Sequence, residues 1–92
     1  MKRWADTPAD IEALFEMRDK VIPLFCMGDI DVSVDVKDGK RLTGRLVAIQ
    51  AGTRPLNGRV SHRGGLKLRT ASGETIGLDY LEVGHIGRRD FR

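Results

Sequence analysis

Between Asp38 and Glu74 the chain carries eight cationic side chains and no carboxylate: Lys40, Arg41, Arg45, Arg54, Arg59, Arg63, Lys67 and Arg69. Side chains of this kind hold anions. A guanidinium offers a planar fork of N–H donors that fits a phosphate or carboxylate with two parallel bonds, whereas an ammonium acts as a point charge. Residues 1–36 contain four Lys/Arg against eight Asp/Glu, and residues 37–92 contain twelve against five, so a formal charge of +3 conceals a split of −4 and +7. That split points to an anionic partner for the second half, RNA or another polyanion. The candidate nucleic-acid-binding set is Arg54, Arg59, His62, Arg63, Lys67 and Arg69. The rival partner is a basic protein surface met by Asp29, Asp31 and Asp35.

Other chemistries lack their residues. Gly52, Gly58, Gly64 and Gly65 are not followed by Gly-Lys-Ser/Thr, so no phosphate-binding P-loop is encoded. His62 and His85 are far apart in sequence, and Cys26 has no cysteine neighbour, so no metal site is expected. Ser61 and His62 are adjacent, and adjacent strand side chains point to opposite sides, so they do not make a nucleophile and its base. Asp31 and Asp35 share a strand face and read as solvated charges. The expectation is a non-enzyme with no cofactor. With aromatic content of 5 %, a platform of several exposed rings is excluded, although Trp4 or Tyr80 alone could stack on a base.

These residues must be positioned by a single small domain spanning residues 1–92, whose 40 % apolar and 32 % charged content suits a soluble globular protein. Thr7-Pro8-Ala9-Asp10 is a helix start: a capping hydroxyl, a proline in the first turn and an acid at the positive helix end. Ile11, Leu14 and Phe15 then share one face, which predicts a helix over about 8–21, stopped by Pro23. Cys26, inside the run Val21-Ile22-Pro23-Leu24-Phe25-Cys26-Met27, is expected to be a buried thiol. That run is too short to cross a bilayer, and Met1-Lys2-Arg3 is followed by no apolar signal core, so a cytoplasmic protein without a membrane partner is expected.

Asp31 to Lys37 alternates strictly, with Val32, Val34 and Val36 on one side, and Asp38-Gly39 marks a tight turn. The second strand, Arg41 to Gln50, carries apolar residues of both parities and a mid-strand Gly44, which predicts a bend or bulge. Residues 51–65, with four glycines and Pro55, read as a long loop bearing Arg54, Arg59, His62 and Arg63. Leu66 to Thr70 and Glu74 to Leu78 form a second hairpin about Ser72-Gly73. Asp79-Tyr80-Leu81 is a tight turn before a last strand, Val83 to Ile86, whose open edge could pair with a second copy. Residues 88–92 form a basic tail.

The pattern from Val32 through Asp38-Gly39, Leu42, Gly44, Leu46 and Ile49 resembles the first motif of the Sm-like family of small β-barrels. Leu66-Lys67-Leu68-Arg69 with Ile76-Gly77-Leu78-Asp79-Tyr80-Leu81 and Val83 is similar in spacing to the second half of the RNA chaperone Hfq. Gly73-Glu74 and Leu78-Asp79 also resemble the Rof proteins, Sm-fold inhibitors of the Rho termination factor. The resemblance, over residues 8–87, implies a mainly β fold: an N-terminal α-helix followed by a five-stranded, strongly bent antiparallel Sm-like (SH3-like) barrel over about 30–87. It implies RNA- or transcription-related regulation, either through RNA or through a protein partner in the Rof manner, and homo-oligomers built on edge strands. Asp79-Tyr80 stands where Hfq has a lysine-histidine pair, and Gln50 replaces the usual Sm aspartate. The binding residues are therefore expected on the segment from 51 to 65.

Overall fold

The computed structural model describes residues 4–28 and 30–89. A helix, α1 (Pro8–Cys26), is followed by β1 (Asp31–Val36), β2 (Arg41–Leu56), β3 (Arg59–Arg69), β4 (Thr75–Asp79), a single 3-10 turn (Tyr80–Glu82) and β5 (Val83–Arg88). The start of α1 is as its sequence dictates, with Thr7 Oγ1 accepting the Asp10 N–H at 3.2 Å and Pro8 in the first turn. Leu14, Met17 and Val21 recur at helical spacing and are buried, flanked by half-buried Ile11, Phe15, Leu24 and Phe25.

The helix does not stop before Pro23, as expected, but runs on to Cys26. Proline removes one N–H, and the carbonyl it deprives belongs to Asp19, an exposed residue whose backbone oxygen can turn to water. In return Leu24 and Phe25 pack against the core. Gly28, at φ +85°, ends the element in the left-handed conformation that glycine tolerates. The expectation of a buried thiol also fails: Cys26 is exposed, one turn beyond exposed Ile22 on the outer side of the helix.

The strands form one antiparallel sheet in the order β4-β3-β2-β1-β5. Val32 and Val34 of β1 are buried, and the turn after it is held by Asp38 Oδ1, which accepts the Lys40 N–H at 2.9 Å. The predicted irregularity in β2 is a bulge: the register on β3 shifts between Leu46 and Ala48, leaving Val47 as the extra residue. The shift lets Leu46 and Ile49, of opposite parity, both meet the core. At Gly44 a Cβ would lie 2.6 Å from the Arg69 carbonyl oxygen, so this position must be bare.

The largest correction concerns residues 51–65. They form no loop: β2 and β3 continue through them in unbroken register from Gln50↔Gly65 to Leu56↔Arg59, closed by Asn57-Gly58. Asn57 at φ +49° and Gly58 at φ +77° give the two positive φ values of a primed two-residue hairpin turn. Gly64 and Gly65 are buried for packing, since a Cβ on them would fall 2.7 Å from the Tyr80 ring and 2.6 Å from the Leu78 carbonyl oxygen. Two further expectations change. The sheet is not closed into a barrel, because β4 and β5 lie at opposite edges and do not pair. The basic tail begins later, because Gly87 and Arg88 belong to β5, and residues 90–92 lie outside the described residues.

The core is a single cluster between α1 and the bent sheet. Val32, Val34, Leu46, Leu66, Leu68, Leu78, Val83 and Ile86 come from the strands, and Tyr80 and Leu81 from the 3-10 turn. Removing each large side chain from water contributes roughly 1.5–3 kcal/mol.

Candidate functional site

Strand β3 carries the cations in a row. Its residues alternate between faces, so Arg59, Ser61, Arg63, Gly65, Lys67 and Arg69 share one side while His62, Leu66 and Leu68 share the other. Direct cross-strand partners share a face as well, which brings Arg54 beside Ser61 and Arg45 beside Arg69. Five of the six sequence-predicted residues, Arg54, Arg59, Arg63, Lys67 and Arg69, therefore lie on one face of the β2–β3 hairpin. His62 does not. Its ring points to the other face and packs edge-on against Phe15, with centroids 5.0 Å apart.

The N-terminal segment completes this face. Ala5 forms an antiparallel bridge with His62, donating its N–H to the His62 carbonyl at 2.6 Å and accepting the His62 N–H at 3.2 Å. The bridge occupies the edge of β3 that β4, which pairs only with Gly65 to Arg69, leaves uncovered. Beside it, Ser61 donates a hydrogen bond to Asp6 Oδ1, and the Trp4 ring receives two guanidiniums, Arg54 at 4.3 Å and Arg63 at 5.4 Å from its centroid. A guanidinium lying over a ring is held in place while its N–H edge stays available to an anion. Arg63 also crosses the bare backbone of Gly52, and its Nε is buried without a hydrogen-bond partner among the described residues. Sequence reasoning offered Trp4 as a base platform. The structure makes it a support for arginines, a role legible only once the Ala5–His62 bridge is known. Tyr80 is buried, and desolvation raises its hydroxyl pKa above the ordinary value, so it is no stacking surface either.

The charge split is partly cancelled by strand pairing. Register sets Asp35 against Arg41 and Asp31 against Arg45. Arg41 Nε donates to Asp35 Oδ1 at 2.7 Å, while the Arg45–Asp31 contact is a loose 4.0 Å and Lys40–Asp38 3.9 Å. The hydrogen bond from Arg41 holds the Asp35 carboxyl below its usual pKa, with nearby His85 adding to the effect, and Arg41 is raised in turn. Arg54, Arg59, Arg63, Lys67 and Arg69 make no ion pair among the described residues. Two carboxylates sit within their row: Asp6, which accepts the Ser61 hydroxyl, and Asp79, opposite Gly65, whose buried Oδ2 has no hydrogen-bond partner among the described residues. Among the described residues no group of three or more His, Cys, Asp and Glu could hold a metal ion, and no helix is long and apolar enough to cross a membrane.

No family model and no curated protein matches the chain. Among solved structures it is similar to XC5848 from Xanthomonas campestris, described as adopting a novel variant of the Sm-like motif, with 20 % identity, a TM-score of 0.68, and coverage of 98 % of this chain and 96 % of that one. At that identity the likeness speaks for the fold alone. The helix, the five-strand order, the bulged second strand and this neighbour together give the chain an Sm-like fold.

Proposed function

We propose that this chain is a non-enzymatic binding module that contacts RNA or another polyanion through the β3 row and Arg54. The observation that carries the reading is the set of five cations on one face without a carboxylate partner, two of them stacked on Trp4. Their order along a strand suits the backbone of an extended polyanion, where phosphate contacts supply affinity and little sequence information. The rival, a protein-binding regulator of Rof type that uses the acidic β1 face, is less favoured because Asp35 is committed to Arg41. Asp29 lies outside the described residues.

The test is fluorescence anisotropy with a labelled single-stranded RNA over a range of salt. Replacing Arg54, Arg59 and Arg63 together by glutamine should weaken binding and reduce the logarithmic salt slope by about 0.7 per lost phosphate contact, roughly 2 in all. No measurable affinity of the native chain at low salt would overturn the reading.

The open edges of β4 and β5 support a further part of it, assembly of copies by edge pairing. Light scattering across a concentration series should show a mass above that of one chain; a constant monomer mass would remove assembly and leave the binding face intact.

A further inference from the structure

A second feature lies at the far end of β3 from the hairpin turn. A groove of about 300 Å³ is lined by Asp31, Thr43, Gly44, Arg45, Arg69, Thr70, Ala71 and Arg89. Register sets Arg45 directly opposite Arg69. Like charges placed across a strand pair repel one another, and an anion between them reverses the sign of that interaction. Arg69 has no ion pair among the described residues. The Asp31 carboxylate stands 4.0 Å from Arg45 Nε, beyond hydrogen-bond reach, so it leaves the guanidinium fork its donors. Thr43 adds a hydroxyl that makes no hydrogen bond among the described residues, whereas the Thr70 hydroxyl is already engaged, 2.9 Å from Ser72 Oγ and donating to the Glu74 carbonyl at 3.4 Å.

We propose that this groove binds a phosphate monoester attached to a hydroxyl-bearing group, as in a nucleotide or the 5′-phosphorylated end of a nucleic acid. The monoester follows from charge, since it carries nearly two negative charges at neutral pH and meets two arginines, whereas a chain-internal diester carries one. The hydroxyl-bearing group follows from Asp31, which repels a bare anion but accepts a hydrogen bond from a sugar hydroxyl. The volume lies at the lower end of small-ligand sites and suits one such unit rather than a passing strand. Gly44 keeps the wall bare where β3 crosses close to β2. This groove shares Arg69 with the cationic row but none of Arg54, Arg59 and Arg63.

The experiment uses the full chain and two matched pairs of probes: adenosine against adenosine 5′-monophosphate, by calorimetry, and one RNA oligonucleotide with a 5′-hydroxyl against its 5′-phosphorylated twin, by anisotropy. The phosphorylated member of at least one pair should bind about tenfold more tightly, as charge-assisted hydrogen bonds to one added group allow. Arg69→Gln and Arg45→Gln should abolish that advantage, while the Arg54/Arg59/Arg63 triple variant should weaken both oligonucleotides equally and preserve it. An advantage for the nucleotide alone identifies a free ligand, and one for the oligonucleotide alone identifies a strand end. Oligonucleotide twins that bind equally, with no difference between the adenosine pair, would overturn the groove and spare the polyanion face. A nucleotide advantage without any RNA affinity would do the reverse. The native-chain comparisons decide the matter even if a variant fails to fold.

Discussion

Arg54 lies over the ring of Trp4 with 4.3 Å between its guanidinium carbon and the ring centroid, tying the N-terminal segment to the hairpin arm. Arg63 approaches the same ring at 5.4 Å. One indole thus steadies two of the unpaired cations, and the bridge between Ala5 and His62 holds the indole there.

Trp4→Ala should loosen both arginines and the bridge. Two cation–π contacts at this half-exposed site contribute about 1–2 kcal/mol together. Thermal melts should show a loss of that order, and amide exchange at Ala5 and His62 should quicken. Unchanged exchange at both amides would show that the ring does not anchor the segment.

Gly44→Val should destabilise the domain by roughly 1–3 kcal/mol, because a side chain there meets the Arg69 carbonyl and the strands must separate. Gly64→Ala, facing the Tyr80 ring, should act in the same direction. Denaturant titration measures both, and a midpoint equal to that of the native chain would refute the packing assigned to either glycine.

Gly58→Val forces a β-branched residue into left-handed backbone at the hairpin turn, at a cost of about 1–2 kcal/mol. The damage should stay local. Exchange protection in residues 53–62 should fall while that of β1 and β5 persists, and uniform loss of protection would mean that the arm is not a separable part of the sheet.

The Asp35–Arg41 pair gives a pH dependence with a definite sign. Asp35 has a lowered pKa in the folded chain, so the folded state binds that proton less tightly than the unfolded state does. The contribution is present above the ordinary aspartate value, about 3.9, and is lost as the pH falls through the lowered folded value. Asp35→Asn should therefore melt below the native chain at neutral pH, with the gap narrowing as the pH falls below about 4. A gap independent of pH would mean that the pair contributes through packing rather than charge.

The parts legible in the sequence are those with short-range causes. Thr7 and Pro8 announce the helix, Val32 and Val34 the first strand, Asp38-Gly39 its turn, and the mixed parity of apolar residues in the second strand a bend or bulge, which register places at Val47. The arm was hidden because the glycines at 64 and 65 answer to Tyr80 and Leu78, residues far along the chain, and look like loop glycines without them. Asn57-Gly58 was itself a hairpin signal, masked by Pro55, which lies in β2 opposite Val60 of β3 although proline is rare in strands. The helix end was misplaced because Pro23 is a local signal overridden by the contacts of Leu24 and Phe25. Of the candidate site, alternation placed Lys67 and Arg69, but the neutralisation of Arg41 and the support of Arg54 by Trp4 depend on register and on a segment distant in sequence.

The Asn57-Gly58 turn also bears on the order in which the chain finds its structure. Pairs near the turn, from Leu56↔Arg59 outward, join residues that are close in the chain, so each closes a short loop at small entropic cost. Val32↔Arg88, where β5 returns to β1, closes a loop that holds most of the domain. The arm can zip from its tip within microseconds, as isolated hairpins do, whereas docking of β5 waits on everything between. Loop closure thus places the pairing of β5 late, whereas the cationic hairpin, like those turning at Asp38-Gly39 and Ser72-Gly73, needs only partners close along the chain.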